Sequence, residues 1–242
     1  AWEARLVKRY EASLLERFDH ILAVTEPDRQ ALLAALSERG SGVQPDIHVV
    51  PIAVDTGELQ PTRRAPGSLN IVTLGTLHYP PNADGIRWFL NEVFPQVQAA
   101  VPGASLTIIG KNPPADFLQA AQANPQAVRV TGYVPDLTPY MEQAALMVVP
   151  VRAGGGMRVR ILEAFARAMP VVTTTVGLEG IDARPEEEVL VADTPANFAR
   201  RVIELVQDPA QQERLAQNGR RLAERCYDWQ VILKKMDAIF RV

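Results

Sequence analysis

Apolar positions in the first quarter of the chain form one helical and two strand-like patterns. A spacing of four residues predicts an amphipathic helix over residues 2–18. Short, mostly apolar runs at 20–24 and 47–50 predict short buried strands. Thr25, followed two residues later by proline, predicts the start of a second helix between them. The segment closes with residues 56–68, whose content of Gly, Pro, Thr and Arg is typical of a linker.

Beyond the linker, short apolar runs alternate with longer stretches of helical period. The apolar runs show no in–out alternation, which is typical of parallel strands buried on both faces. The predicted strands cover residues 69–74, 106–109, 128–131, 146–150, 171–174 and 189–191. The predicted helices cover residues 83–100 (with Asn82 as N-cap), 117–123, 138–144, 157–168, 196–206, 210–225 and 229–240. The sequence therefore predicts an α/β fold, a Rossmann-like parallel sheet with helices on both faces, preceded by a short N-terminal α/β segment.

Composition narrows the classes of protein. The chain has 242 residues, 47% of them hydrophobic, and a formal net charge of −3, so it can bury a core and gives no reason to expect a nucleic-acid partner. Its one cysteine excludes an intrachain disulfide and favours a reducing compartment. No apolar run approaches the roughly 18 residues of a membrane span, and no signal peptide is visible. Because the chain does not begin with methionine, we expect a piece of a longer protein.

The strongest candidate site is a glycine-rich turn that follows a predicted strand, because ligands of such sheets bind beyond the carboxyl ends of the strands. The turn consists of Gly154, Gly155, Gly156 and Met157. The helix that follows carries Arg158 and Arg160 in its first turn, and backbone amides and arginines at a helix start suit a diphosphate. The two arginines are two positions apart and diverge on a helix, so we expect one to face the site. Glu163, one turn further, is a candidate acceptor for sugar hydroxyls; a solvated face of the helix is the alternative.

Other strand ends supply weaker candidates, each of which is also compatible with an ordinary turn. After the predicted strand at 69–74, the candidates are Gly75, Thr76, His78 and Asn82. After the strand at 128–131 they are Gly132, Tyr133 and Val134, and after the strand at 171–174 the candidate is Thr175. The three histidines, at positions 20, 48 and 78, show no spacing typical of metal ligands, so the sequence predicts no metal site.

These residues, taken in order, resemble a known family. The run from Gly154 to Ala166 and the run from Met169 to Gly180 resemble the C-terminal donor domain of the retaining GT-B glycosyltransferases of family four, or group 1. Further segments that match this donor domain are 75–88, 106–110, 130–136 and 227–229. Segments 18–26 and 49–55 resemble the end of the N-terminal acceptor domain and the crossover from it. The resemblance thus covers nearly the whole chain.

The resemblance implies a reaction and its partners. It implies transfer of a sugar from a nucleotide-diphosphate donor to an acceptor hydroxyl with retention, without a metal or other cofactor. The acceptor would be a glycan, a lipid-linked molecule or another hydroxyl compound, in polysaccharide biosynthesis. The location would be cytoplasmic, at the inner membrane face if an N-terminal domain makes a peripheral contact. Residues 1–60 would be the end of the acceptor domain with its linker, or a self-contained unit packed on the donor-binding domain at 61–242.

The chain also departs from the family pattern. The family uses two glutamates eight positions apart; Glu163 matches the second, which binds the ribose or donor end, whereas Gly155 stands at the first. Thr76 and Asn82 stand where the first donor loop often has an arginine and a lysine. We expect Arg158 or Arg160 to supply the missing positive charge. Two alternatives stay open: another nucleotide-sugar enzyme of the same fold, such as an epimerase or phosphorylase, and a non-catalytic interaction domain.

Overall fold

The N-terminal unit is a small α/β layer. The computed structural model describes residues 2–40, 42–43 and 45–240. Positions 41 and 44, between the second predicted helix and the second predicted strand, lie outside the described residues. The unit contains α1 (Trp2–Leu15), β1 (His20–Ala23), α2 (Glu26–Arg39) and β2 (Asp46–Val49). As predicted, α2 begins after Thr25, whose hydroxyl oxygen accepts a hydrogen bond from the backbone N–H of Asp28.

The two short strands of this unit pair in parallel, with His20 opposite Asp46. Nδ1 of His20 lies 3.3 Å from Nε2 of His48. The spacing of the histidines in the sequence does not indicate this contact, because strand pairing brings together residues that are 28 positions apart.

The main unit is a six-stranded, wholly parallel sheet, which confirms the predicted fold class. Its strands are β3 (Asn70–Leu74), β4 (Ser105–Ile109), β5 (Val128–Gly132), β6 (Ala144–Val149), β7 (Val171–Thr173) and β8 (Leu190–Val191). Their spatial order is β5-β4-β3-β6-β7-β8. The chain therefore reverses its direction of travel across the sheet between β3 and β6. In open parallel sheets, a crevice opens at this switch point beyond the strand ends.

Helices cover both faces of this sheet. They are α3 (Pro80–Trp88), α4 (Phe94–Ala100), α5 (Ala115–Ala123), α6 (Thr138–Glu142), α7 (Val159–Ala166), α8 (Thr175–Leu178), α9 (Pro195–Gln207), α10 (Pro209–Leu222) and α11 (Trp229–Phe240). π-Helical stretches at Phe89–Val93 and Ala223–Tyr227 interrupt the predicted helices at 83–100 and 210–225. None of the helices in the described residues has both the length and the apolar character needed to cross a bilayer.

The first helix of the sheet domain starts earlier than predicted. Tyr79 is its N-cap and Pro80 its first residue, because two consecutive prolines have the backbone angle that a first helical turn requires. The expectation that Asn82 caps this helix was therefore wrong. Asn82 lies inside the first turn, and its side chain is buried.

The core has two halves, one on each face of the sheet. Every residue of β6 is buried between them. On one face, Phe198 of α9 packs edge-on against Trp88 and Phe89, with ring centroids 5.4 and 5.7 Å apart. On the other, Phe165 of α7 packs under α10 so closely that a Cβ atom on Gly219 would lie 2.7 Å from its ring. This packing fixes the position of α7, the helix that carries Arg160.

The predicted linker is held against the C-terminal helices. Val54 donates its N–H to the carbonyl of Tyr227 at 2.8 Å, and the hydroxyl of Thr56 donates to Asp228 at 2.6 Å. Arg220 also donates to the carbonyl of Thr56 at 2.8 Å. The segment after β2 therefore has defined partners in the sheet domain.

Candidate functional site

Two adjoining cavities lie at the switch point between β3 and β6. The smaller, about 260 Å³, is bordered by the N-terminus of α3 and by the glycine-rich loop before α7. The larger, about 490 Å³, is bordered by the turns that follow β3, β4 and β5. Arg160 lines both. A ligand that filled both cavities would therefore pass this side chain.

Arg160 extends from α7 to the turn after β3. Its Nη1 donates to the carbonyl of Leu74 at 2.8 Å, and its Nη2 donates to Oδ1 of Asn82 at 2.6 Å. The Asn82 amide in turn donates to the carbonyl of Thr76 at 3.2 Å. Burial lowers the pKa of Arg160 to about 10; the charge of Arg158 acts in the same direction, and Glu163 opposes it. The guanidinium is thus a desolvated cation.

Arg158 folds back on its own loop. It is the N-cap of α7, and its guanidinium donates to the carbonyls of Gly154, Gly155 and Gly156 at 2.7 to 2.9 Å. Its Nε is buried without a hydrogen-bond partner among the described residues. The two arginines therefore diverge, but Arg158 precedes α7 instead of lying in its first turn, and both side chains line the smaller cavity.

The loop that Arg158 holds presents unpaired backbone amides. Within the described part of the chain, no N–H group from residues 153–158 donates a hydrogen bond. Gly154 and Gly156 have φ angles of +100° and +83°, which favour glycine, whereas a Cβ atom on Gly155 would meet nothing within 4 Å. With its carbonyls turned to Arg158, the loop can offer its amides to an anion at the helix start.

The positive charges of this site have no carboxylate partners. All the hydrogen bonds that Arg158 and Arg160 make to described residues go to carbonyl or amide oxygens. By contrast, the largely buried Arg64 pairs with Glu213 at 2.9 Å. A buried cation without a counterion is unfavourable, so the site favours an anionic ligand.

Glu163 lies one turn after Arg160 on α7 and is half-buried. Burial raises the pKa of its carboxyl group, and the charges of Arg167 and Arg160 offset this only in part. Its carboxylate makes no hydrogen bond to any residue that the structure describes and lines neither cavity.

The larger cavity has an aromatic and cationic rim that the sequence did not indicate in full. Nζ of Lys111 lies 4.4 Å from the ring centroid of Tyr133, and both residues line the cavity with Val134. Lys111 directly follows the glycine at the end of β4. The same strand-end rule that selected Gly132 would have selected it.

The structure brings ten of the predicted site residues to the two cavities and leaves five outside their walls. The ten are Gly75, Thr76, Asn82, Tyr133, Val134, Gly154, Gly155, Met157, Arg158 and Arg160. The five are His78, Gly132, Gly156, Glu163 and Thr175. His78 is exposed. The Thr175 hydroxyl is engaged by Asp193 at 2.7 Å, so it is not directed at a ligand.

Comparison with known proteins finds a matching family model and curated relatives. Residues 68–208 match the family model described as Glycosyl transferases group 1. A protein described as an uncharacterized 44.6 kDa protein in the cps region of Klebsiella pneumoniae is 27% identical over 165 residues, which are 66% of this chain and 42% of that protein. The MMP alpha-(1->4)-mannosyltransferase of Mycolicibacterium hassiacum is 24% identical over an alignment that covers 99% of this chain and 59% of that enzyme.

Among solved structures, the fold is similar to that of Anabaena HepE in complex with UDP. The TM-score is 0.79 at 14% identity, and the match covers 97% of this chain and 67% of HepE. The chain spans about half the length of the curated relatives that it matches.

Proposed function

The chain belongs to the group 1 glycosyl transferases, and from this premise we propose that the cleft between β3 and β6 binds a nucleotide-diphosphate sugar. The chain supplies the donor-binding half of an enzyme that transfers the sugar to an acceptor hydroxyl with retention. One observation carries the proposal: within the described residues, two guanidinium groups that pair with no carboxylate lie beside a loop whose backbone amides donate no hydrogen bond. The pair suits a diphosphate, which carries several anionic oxygens.

The diphosphate binds in the smaller cavity. Arg160 uses two of its five N–H donors on Leu74 and Asn82, so three are available to phosphate oxygens. The start of α7 and the loop amides add positive potential. Asn82 and Thr76 stand where related donor loops often have cationic side chains, and Arg160 from α7 reaches this loop. The contact supports the view that Arg160 replaces the missing charge.

The nucleoside binds in the larger cavity. Val134 lines this cavity, and its backbone is the proposed partner of a base edge. The Tyr133 ring, with Lys111 above it, offers an aromatic surface at the rim. Glu163, one turn below Arg160, is the proposed acceptor for ribose or sugar hydroxyls. UDP is the first ligand to test, since a protein of similar fold is known in complex with it.

The chemistry follows from charge. In the transfer, the bond between the anomeric carbon and the diphosphate oxygen breaks, and the acceptor oxygen bonds to the same face of the sugar. The proton of the acceptor hydroxyl is transferred to a phosphate oxygen of the leaving group. Negative charge therefore develops on the diphosphate, where Arg160, Arg158 and the helix start can stabilise it. We propose that this site needs no catalytic metal.

Residues 1–60 are proposed to be the end of an acceptor-binding lobe. Trp2 and Tyr10 on α1 expose 73% and 65% of their surface, as expected of a helix that packs against further protein. The 242-residue chain is then expected to bind donor and to transfer sugar only together with that lobe. We further propose a glycan or lipid-linked acceptor and a cytoplasmic reaction in polysaccharide biosynthesis, with peripheral membrane contact through the acceptor lobe.

A non-catalytic binding domain is the second candidate, and the observation that favours it is Gly155 at the position of the first family glutamate. This candidate keeps nucleotide binding and loses transfer. An epimerase-like enzyme of the same fold would keep nucleotide binding and show no dependence on an acceptor. Nucleotide binding tests the site. Sugar transfer by the chain joined to an acceptor lobe identifies the transferase, and conversion of the nucleotide sugar without an acceptor identifies the epimerase.

The first experiment is thermal denaturation with UDP, GDP, uridine and guanosine. A nucleoside diphosphate at about 100 times its Kd should stabilise the chain by about 2.7 kcal/mol, whereas the nucleosides should have little effect. Arg160→Met should abolish the shift. Arg129→Gln removes the same charge from an exposed side chain that lines neither cavity, so this variant should keep the shift. Equal shifts in both variants, or no shift with either diphosphate, would contradict the proposal.

A further inference from the structure

A second cluster of ligand-type side chains lies outside the cleft, at the start of the two N-terminal strands. His20 is the first residue of β1 and Asp46 the first residue of β2, and the two are paired across the strands. His48 lies two positions after Asp46 and therefore on the same face of its strand. The carboxyl ends of these strands lead to Thr25, which packs on Gly180 of the main unit. The cluster is thus at the end of the strands that points away from the cleft.

The three ligand atoms form a compact triangle. Nδ1 of His20 lies 3.3 Å from Nε2 of His48 and 3.9 Å from Oδ2 of Asp46, and the third side, from His48 Nε2 to Asp46 Oδ2, is 3.2 Å. The circle through the corners of a triangle with these sides has a radius of about 2.0 Å. Zinc–nitrogen and zinc–oxygen bonds are about 2.0–2.2 Å long. One ion at or slightly above the centre therefore reaches all three atoms at bonding distance.

Hydrogen bonds alone satisfy this arrangement poorly. A ring nitrogen of histidine has either one proton or one lone pair, directed in the plane of the ring. Nε2 of His48 is nevertheless approached by both the His20 nitrogen and the Asp46 oxygen. A single metal cation accepts electron density from all three atoms at once, whereas one N–H proton would have to be shared between two acceptors.

We propose that His20, Asp46 and His48 form a binding site for one divalent transition-metal ion, with Zn²⁺ as the best match. Imidazole nitrogens with one carboxylate suit Zn²⁺, Ni²⁺ or Cu²⁺, whereas Mg²⁺ and Ca²⁺ prefer all-oxygen sites. His20 and Asp46 are exposed at their side chains, so water completes the coordination. The site joins β1 to β2 and is structural; it takes no part in the transfer.

The affinity should be moderate. A metal-bound histidine usually donates its second ring N–H to a protein acceptor, and loss of that contact weakens binding by about 10- to 100-fold. Within the described residues, all the polar contacts of the two rings are made by His20 Nδ1 and His48 Nε2, and the second nitrogen of each ring makes none. The second nitrogens therefore depend on water.

The test is titration of the tag-free chain with Zn²⁺ by calorimetry and with Co²⁺ by visible absorption. We expect one ion per chain and Co²⁺ bands typical of low coordination number. His20→Ala and His48→Ala should each weaken binding at least about tenfold, and Asp46→Asn should weaken it as well. His78→Ala, which removes the one remaining histidine, and Cys226→Ser should bind like wild type.

UDP binding by the same variants separates this site from the cleft. The three ligand variants should retain wild-type UDP affinity and circular dichroism. Zn²⁺ affinity that is unchanged in His20→Ala and His48→Ala, or absence of binding by a folded wild-type chain, would overturn the proposed site without affecting the proposed function.

Discussion

A Cβ atom on Gly75 would lie 2.6 Å from Nη1 of Arg160. The turn that follows β3 therefore has no side chain at the point where Arg160 passes it. Gly75 does not have a left-handed backbone, so the requirement for glycine comes from this contact. The position of Arg160 in the cleft depends on it.

Gly75→Ala should displace the Arg160 guanidinium and weaken UDP binding. A hydrogen bond to a charged group contributes about 1.5–3 kcal/mol, which is roughly 10- to 150-fold in affinity. Calorimetry on Gly75→Ala, Arg160→Ala and the double variant measures the coupling. Since both changes remove one interaction, the double variant should be no weaker than Arg160→Ala alone. Additive losses would show that Gly75 acts independently of Arg160.

The three loop glycines should differ in their effect on stability. Gly154→Ala and Gly156→Ala place a Cβ on a backbone with positive φ and should each destabilise by about 1–2 kcal/mol. Gly155→Ala has open space and an ordinary backbone, so it should be neutral or stabilise by up to about 1 kcal/mol. Urea denaturation at constant m-value measures all three; equal losses at the three positions would contradict the loop conformation.

Glu163→Gln should change the pH dependence of stability. Burial raises the pKa of Glu163. The favourable contribution of this carboxyl group to the free energy of unfolding is therefore complete below the pKa that Glu163 has in the unfolded chain. It is lost as pH rises through the pKa that Glu163 has in the folded chain. Above that window the ionised carboxylate is destabilising. The Gln variant should therefore unfold at a higher temperature than wild type near neutral pH, and this advantage should shrink in acid.

Thermal unfolding from about pH 4 to pH 8 measures this difference. The exposed Glu92→Gln is the matched control and should follow the wild-type curve. Parallel curves for wild type and Glu163→Gln would contradict the burial of this carboxyl group. The Gln variant should also bind UDP more weakly, because a neutral amide is a poorer acceptor for hydroxyl groups.

Asp228 should show the opposite dependence on pH. Burial alone would raise its pKa, but hydrogen bonds from Thr56 and the Gln230 N–H outweigh this and lower it. The contribution of Asp228 to the free energy of unfolding is present above the pKa that this group has in the unfolded chain. It is lost as pH falls through the pKa of Asp228 in the folded chain. Asp228→Ala should cost about 1–3 kcal/mol of unfolding free energy at neutral pH.

Thr56→Ala provides the control for Asp228. It removes the hydroxyl partner and leaves the carboxylate, so its loss should be smaller, and the double variant should be less destabilised than the sum of the single variants. Additive losses would contradict the contact between the linker and the C-terminal helices.

Much of the sheet could be predicted because its strands are buried on both faces. The sequence of β6 contains no polar residue, and this pattern is typical of a strand buried between two helical layers. The long helix at 83–100 was predicted as continuous because a π-helical insertion at Phe89–Val93 leaves a helical hydrophobic pattern on both sides. Its start was misplaced because the usual preference for Asn at N-caps was overridden by the prolines that precede it.

The site could be predicted only in part, because contacts between distant segments decide it. Spacing predicts that Arg158 and Arg160 diverge. It does not predict that both line the smaller cavity, with Arg158 folded onto its own loop by way of the left-handed glycines. The contact between Lys111 and Tyr133, like that between His20 and His48, arises from strand pairing. No local pattern marks such pairs.

A crystal structure of the chain with UDP tests the central proposal most directly. We predict diphosphate oxygens within about 2.7–3.2 Å of the Arg160 guanidinium and of backbone amides in residues 153–158, with uracil in the larger cavity beside Val134. The account is wrong if UDP binds away from the switch point while Arg160 keeps only its bonds to Leu74 and Asn82.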